Sequence, residues 1–412
     1  MSADVRRVLV AQGLRAFGYG FGAVLLGASL EQRGWSSREV GFVLTAIVAG
    51  MAVMTIAVGA FGDRIGRRRT YGALFLLLAA SGAAFGLLDS LWLLGAVALL
   101  GAMSTDVVES GPFTSIEQSM LASAVEGSSR TRVFGVYNAV ASLVGSLGAL
   151  AVGGPSILRH VWPGAPSDQR FLLLFVAIGL AGALVASSLS ARVDAPRPAS
   201  ASTARFKLPP SNVLRLSALF AVDSFGGGFI IQSFLAFWFA RRFDLSAEAL
   251  GLMFFAMGLL QAVSFIAATR IADRIGLLNT MVFTHLPSNI LLIAIPLAPN
   301  LQIAIALLLA RFALSQMDVP TRQAYIAALV DPEERTAAAA YTNSARYVVR
   351  PAGPLLAGTA QQVAVGLPFF IGGGIKAAYD VALWLWFRRV RLADSEEQDR
   401  EARPGDAAAT NE

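Results

Sequence analysis

Apolar residues along this chain fall into long unbroken blocks, not into the alternation of half-buried strands. The stretch from Leu74 to Leu88 contains no charge at all. Such blocks predict helices near residues 8–30, 39–60, 70–88, 91–118, 131–154 and 170–190, then near 211–240, 246–268, 280–297, 301–327, 335–360 and 367–390. At 1.5 Å per residue, about 20 apolar residues cross the hydrocarbon core of a bilayer. The pattern therefore predicts an all-α membrane protein of twelve transmembrane helices.

Two polar stretches break the rhythm. Residues 191–210, ARVDAPRPASASTARFKLPP, read as a flexible linker, because Pro, Ser and cations cannot continue a spanning helix. They divide the chain into a six-helix bundle over 1–190 and a second over 211–390. Residues 391–412 carry Asp394, Glu396, Glu397, Asp399 and Glu401 and read as a disordered tail.

Composition agrees with the blocks. Hydrophobic residues make up 55% of the chain, charged residues 15%, and mean hydropathy is +0.61. A soluble protein is about a quarter charged, so a string of soluble domains is excluded. The net charge of +6 would suit a nucleic-acid partner, but the basic residues sit in short interhelical segments and follow membrane topology instead. Arg6, Arg7, Arg64, Arg67, Arg68, Arg69, Arg130, Arg132, Arg192, Arg197, Arg205 and Lys207 fall on one side, with both termini, against Arg33, Arg38, Arg159, Arg170, Arg241 and Arg242 on the other. The positive-inside rule makes the first side cytoplasmic. The first span is too long, and lacks the cleavage site, for a signal peptide. Arginine outnumbers the two lysines, Lys207 and Lys376, as in an Arg-favouring bacterial genome, so a bacterial plasma (inner) membrane is expected.

Candidate chemistry is sparse. There is no cysteine, and His160 and His285 alone cannot build a metal centre. No Walker loop, HExxH or Ser-x-x-Lys constellation is present. The reading is a non-enzyme without cofactor or metal, acting as a monomer on a small molecule within the lipid bilayer, with no nucleic acid.

The two halves repeat each other. Arg15-Ala-Phe17-Gly18 aligns with Asp223-Ser-Phe225-Gly226 at an offset of 208, and Gly62-Asp63-Arg64-Ile65-Gly66 with Ala272-Asp273-Arg274-Ile275-Gly276 at 210. Gln118, Arg130, Thr131, Asn138, Gly148 and Gly153 recur as Gln323, Arg335, Thr336, Asn343, Gly353 and Gly358 at 205. Equivalent positions share a membrane face, so the repeats are parallel, about an axis along the membrane normal.

On these residues the chain resembles the major facilitator superfamily. Gly62-Asp63-Arg64-Ile65-Gly66-Arg67-Arg68-Arg69 is similar to that family's signature loop between helices 2 and 3, with a weaker copy at Asp273-Arg274-Ile275-Gly276. The resemblance covers residues 8 to 390 and implies two pseudo-symmetric six-helix bundles around a central cavity, working by alternating access. It also implies a gating role for Gly62, Asp63, Arg64, Gly66, Arg67, Arg68, Asp273 and Arg274, away from substrate. Asp106 and Glu109 stand in helix 4, where the family often has an arginine. The helix 5 glycine motif of antiporters is echoed only loosely, by Gly145, Gly148, Gly153, Gly154 and Pro155.

Charges within the spans cost about 2.5–3.5 kcal/mol each at mid-bilayer and must face water or one another. Across the repeat, Arg15 corresponds to Asp223, Asp106 to Arg311 and Glu117 to Arg322, each with its sign reversed. The expected ion pairs are Arg15 with Asp106, Asp223 with Arg311, and Lys376 with Asp380 four residues on. Asp106, Glu109, Asp223 and Asp318 are candidates for proton coupling. Arg15, Tyr19, Phe113, Asn138, Gln232, Arg311, Asn343 and Arg346 are candidates for substrate binding. Glu117, Arg322 and Arg350, near the helix ends, are assigned to gates. Each of these charges also has a plainer reading, as a helix-packing ion pair, and the aromatics as packing.

The function expected is proton-coupled efflux of a small organic molecule. Import of an organic anion with protons is the alternative, suited to the basic second half. A membrane-embedded receptor or channel is the alternative of a different class.

Overall fold

The computed structural model describes residues 2–105, 111–124, 129–194, 211–330 and 335–390. Every regular element among them is helical: α1 Ala3–Gln32, α2 Ser37–Ile65, α3 Arg67–Leu87, α4 Leu91–Ala98, α5 Pro112–Ala124, α6 Ser129–Leu150, α7 Gly154–Val161 and α8 Leu174–Ser187 in the first half. The second half holds α9 Ser211–Gly228, α10 Gln232–Phe243, α11 Ala247–Ile275, α12 Leu277–Ala294, α13 Leu301–Ser315, α14 Asp318–Ala328, α15 Arg335–Val349, α16 Ala352–Val363 and α17 Leu367–Phe387. Among the described residues, nine helical stretches are long and apolar enough to span a membrane.

Local chemistry sets the ends. Ser36 and Glu39 form a reciprocal capping box at the start of α2, each side chain accepting from the other's backbone N–H. Ser246 and Asn300 cap α11 and α13 in the simpler way. Both α2 and α11 stop at a glycine with positive φ, Gly66 at 100° and Gly276 at 84°, a conformation costly for any residue with a Cβ. These are the equivalent glycines of the repeated loop.

Packing repeats as well. In the first half α1 lies on α6 and α3 on α8, and in the second α9 lies on α15 and α12 on α17. Small residues permit the closest crossings, since a Cβ on Gly20 would collide with Gly145 and one on Gly148 with Phe17. The halves meet through α1 on α10, α2 on α16 and α6 on α11. Their seam runs from mid-depth to the face away from the termini. Thr45 Oγ1 donates to Pro351 O at 2.9 Å and accepts from Leu355 N at 2.9 Å. Arg241 reaches Trp35 O at 3.3 Å and lies 3.8 Å from Glu31, and Ser156 donates to Glu248 at 3.1 Å.

Four of the expected continuous spans are interrupted. The span expected over 91–118 stops at α4, turns at Gly101 (φ 72°), and leaves Ala102 to Thr105 non-helical and buried. The span over 211–240 breaks between α9 and α10, that over 301–327 at Gln316–Met317, and that over 335–360 at Arg350–Pro351. Non-helical backbone at membrane depth survives only where protein or a wet cavity satisfies it. Here Tyr19 Oη donates to Ala102 O at 2.8 Å and Ser233 N to Thr105 O at 3.3 Å.

The first residues of the expected linker are ordered against the first half. Residues Ala191–Asp194 form a short turn with Val193 buried, and Asp194 accepts from Arg68 N at 2.9 Å at the start of α3. An aspartate at an exposed helix N-terminus outweighs the breaker composition that follows it. The remainder of 191–210 and all of 391–412 lie outside the described residues.

Candidate functional site

The first half holds a closed polar cluster. Arg15 of α1 grips Glu117 of α5 through two parallel hydrogen bonds, Nε to Oε1 at 3.1 Å and Nη2 to Oε2 at 2.6 Å. Tyr71 of α3 donates to Oε1 at 2.8 Å, and Tyr137 of α6 to Oε2 at 2.6 Å. The Arg15 guanidinium also lies over the rings of Tyr19 and Phe113. All of these side chains are buried. Both carboxylate oxygens and the guanidinium fork are thus engaged, which is the condition for a buried pair to hold.

Two expectations bear on this cluster. Among the described residues, the carboxylate that holds Arg15 is Glu117, where Asp106 was the expected partner. Glu117, assigned to a gate from the sequence, is fully buried within the cluster. Asp106 and Glu109 lie outside the described residues.

The second half holds a looser cluster of the same kind. Asp223 of α9 accepts from Lys376 Nζ of α17 at one oxygen. Arg322 Nη1 of α14 lies 3.9 Å from the other oxygen and donates to Asp318 at 2.7 Å. His285 of α12 places Nε2 4.0 Å from Asp223 Oδ1 and Nδ1 2.8 Å from Asp380 Oδ1 of α17. Asn289, one turn along α12, donates to Asp380 Oδ2 at 2.8 Å. The ring of Tyr379 meets the imidazole edge-on. Again every member is buried.

The expected pairs rearrange here too. Among the described residues, no carboxylate lies within ion-pair distance of Arg311, although its side chain is buried and its Nε has no hydrogen-bond partner. Asp223 is taken by Lys376, and Asp380 by His285 and Asn289, so among the described residues Lys376 and Asp380 form no direct ion pair. Two residues on one helix four apart share a face, yet each found a better-placed partner on a neighbouring helix. His285 and Asn289 are members that sequence reasoning missed. The signal was present as two polar side chains four apart in an apolar span.

The remaining candidates scatter. Asn138 and Asn343 are exposed, while Gln232, Arg346 and Arg350 are half-buried. Ser224, next to Asp223, donates to the backbone carbonyl of Arg346 at 2.9 Å, tying α9 to α15. In the signature loop, Arg67 Nε donates to Asp63 at 2.7 Å, and Arg68 donates to Leu189 O at 3.2 Å. Gly62 packs near Val58 and Ile116, and Arg64, Asp273 and Arg274 are exposed. Among the described residues, no three His, Asp or Glu side chains converge as metal ligands.

The chain was compared with known proteins. The family model described as Major Facilitator Superfamily matches residues 8–354 and 216–410. An uncharacterized membrane protein of Saccharomyces cerevisiae (strain ATCC 204508 / S288c), YJR124C, is 25% identical over 437 residues, covering 97% of each chain. The crystal structure of a bacterial homolog to the human lysosomal transporter Spinster, inward-facing and occupied, superposes with a TM-score of 0.70 at 16% identity, covering 94% of this chain and 96% of that one. The human organic anion transporter MFSD10 (TETRAN) superposes with a TM-score of 0.61 at 18% identity, covering 92% and 98%.

Proposed function

This chain belongs to the Major Facilitator Superfamily, a multi-pass membrane transporter, and from that premise we propose that it is a proton-coupled secondary transporter that exports a small organic molecule by alternating access. The observation that carries the coupling is Asp223. It is a buried carboxylate approached by Lys376, Arg322 and His285 from three other helices, five residues before α9 breaks. An uncompensated charge at that depth would cost about 2.5–3.5 kcal/mol on the insertion scale, so gain or loss of one proton can re-sort the partners.

In this reading residues 1–190 and 211–390 are the two rocking bundles, joined by 191–210. Both termini lie in the cytoplasm of a bacterial cell, and 391–412 extend from the second bundle. The hydrogen-bonded seam at the far face supports reading the described state as inward-facing. Asp63 and Arg67 are then paired within their own loop. They, with Arg68 and the second-half copy Asp273 and Arg274, close the cytoplasmic side in the opposite state. The protein works as a monomer.

A second reading rests on Arg311. A buried guanidinium with no carboxylate at ion-pair distance among the described residues suits an organic anion, because its fork matches carboxylate or phosphate oxygens. Proton-driven import of such an anion would use the same cluster.

Inverted vesicles with an imposed inside-acid gradient and a pH-sensitive dye separate these readings. Organic cations, organic anions and sugars are added in turn. Export by antiport requires that one class dissipate the gradient and that Asp223→Asn abolish the response. Anion accumulation with co-entering protons in right-side-out vesicles replaces it with import, and neither response removes proton coupling altogether.

A further inference from the structure

His285 is buried, polar and central, and the transport scheme above gives it no task beyond its presence near Asp223. Its surroundings favour one tautomer. Asp380 Oδ1 lies 2.8 Å from His285 Nδ1, and Asn289 Nδ2 lies 3.2 Å from the same nitrogen while donating to Asp380 Oδ2 at 2.8 Å. The carboxylate accepts only and is the nearer of the two, so it draws the imidazole proton to Nδ1 and leaves the lone pair on Nε2. That lone pair faces Asp223 Oδ1 at 4.0 Å, an acceptor against an acceptor. The gap is one a proton would fill.

The charges around this gap balance without it. The helices packed on α12 present Lys376, Asp380 and Tyr379 from α17, Asp318 and Arg322 from α14, and Arg311 from α13. From α11 no charged residue occurs between Glu248 and Arg270. Adding Asp223 of α9, three buried cations meet three buried carboxylates when His285 is neutral, while α15, packed on α9, carries the half-buried Arg346 and Arg350. A proton on His285 therefore leaves one cation in excess, and Asp223 becomes the contested partner.

Lys376 is the cation placed to yield. It crosses the glycine face of α9, where a Cβ on Gly226 would come within 2.9 Å of its Cγ. Directly after this point α9 ends, through Gly226, Gly227 and Gly228, with α10 resuming at Gln232. The Asp223–Lys376 contact thus ties α17 to α9 just before the break.

We propose that His285 is a proton-binding site of this transporter, and that a proton on its Nε2 competes with Lys376 for Asp223 and so unlatches α9 from α17 at the Gly226–Gly228 break. The inference rests on the proton-coupled reading above, but its test needs no transported substrate.

The chain contains two histidines and no cysteine, which makes the test direct. His160→Ala leaves His285 as the single imidazole, to be followed by nitrogen-15 NMR in lipid nanodiscs. Spin labels on cysteines placed at the exposed positions Val222 of α9 and Val381 of α17 report the distance between those helices. Over about pH 5 to 8, the range in which an unperturbed imidazole changes charge, the expected result is a change in the nitrogen-15 signal, with the α9–α17 distance shifting at the same midpoint. His285→Gln should lose the distance shift. Three results overturn the proposal: an imidazole in one state throughout that range, a titration without movement, or a movement that persists in His285→Gln. If the imidazole titrates and moves α9 while the vesicles show no proton flux, the site stands and the coupling reading falls.

Discussion

Asp223 and Arg322 stand 3.9 Å apart at the positions that Arg15 and Glu117 occupy in the first half, with the signs exchanged. The two pairs differ in how completely they are satisfied. Arg15 and Glu117 are joined by two hydrogen bonds and braced by two tyrosine hydroxyls. Asp223 is shared among three basic side chains, and Arg322 makes its shorter contact with Asp318. A saturated pair has one low-energy arrangement, whereas a shared carboxylate has several. On the proposed reading, the first half then supplies the rigid side and the second the switch.

Glu117→Ala should cost the fold roughly 3–5 kcal/mol, because it leaves the Arg15 guanidinium buried and unpaired. Replacing both partners, Arg15→Met with Glu117→Leu, should recover most of that loss. Thermal unfolding in detergent, followed by tryptophan fluorescence, measures both. An equal loss in the single and the double variant would mean that packing, not charge, holds this site.

The seam between halves gives a conformational prediction. A Cβ on Gly358 would strike the Ser37 carbonyl, and one on Gly41 the Pro354 carbonyl. Gly358→Leu should therefore disfavour the state sealed at the far face. In the naturally cysteine-free chain, a single cysteine at the buried Ser233 reports this. Its labelling by an impermeant maleimide from the far side should rise in the variant, and unchanged labelling would show that the seam does not set the state.

The spans, the repeat and the paired loop turns were legible because each is a local pattern of hydropathy or glycine. The partners were not. Sign reversal across the repeat relates Arg15 to Asp223 and Glu117 to Arg322, but it says nothing about which residues meet within one half. Asp106 and Glu117 are eleven apart in sequence, a spacing that would put both on one face of the single expected helix, so periodicity could not choose between them. The glycines 226–228 are plain in the sequence, yet glycine alone does not decide a break. A helix break there depends on whether neighbouring backbone can satisfy the freed groups. His285 was passed over for a similar reason, since its partner Asp380 lies 95 residues away.

Arg311 carries a prediction about ligand class. If its guanidinium anchors an anionic group, Arg311→Gln should weaken binding of that anion by roughly 10- to 100-fold, the worth of a charge-assisted hydrogen bond. Arg311→Lys should fall between, keeping the charge but losing the fork. Thermal-shift titration with a panel of organic anions reads this. Equal stabilisation of the parent and both variants by every anion would exclude Arg311 from the ligand site.

The latch between Asp223 and Lys376 is testable apart from any ligand. Lys376→Met leaves Asp223 with Arg322 and His285 beside it, and Asp223→Asn leaves Lys376 without its acceptor. If the two charges act mainly on each other, Asp223→Asn with Lys376→Met should be less destabilised than the sum of the single variants. Coupling of about 0.5–3 kcal/mol is usual for residues in direct contact. Additive losses would mean that Arg322 and His285 hold Asp223 without help. The contact seen between α9 and α17 would then be incidental to the switch, and the break after Gly228 would have to be governed from α15, through Ser224 and the carbonyl of Arg346.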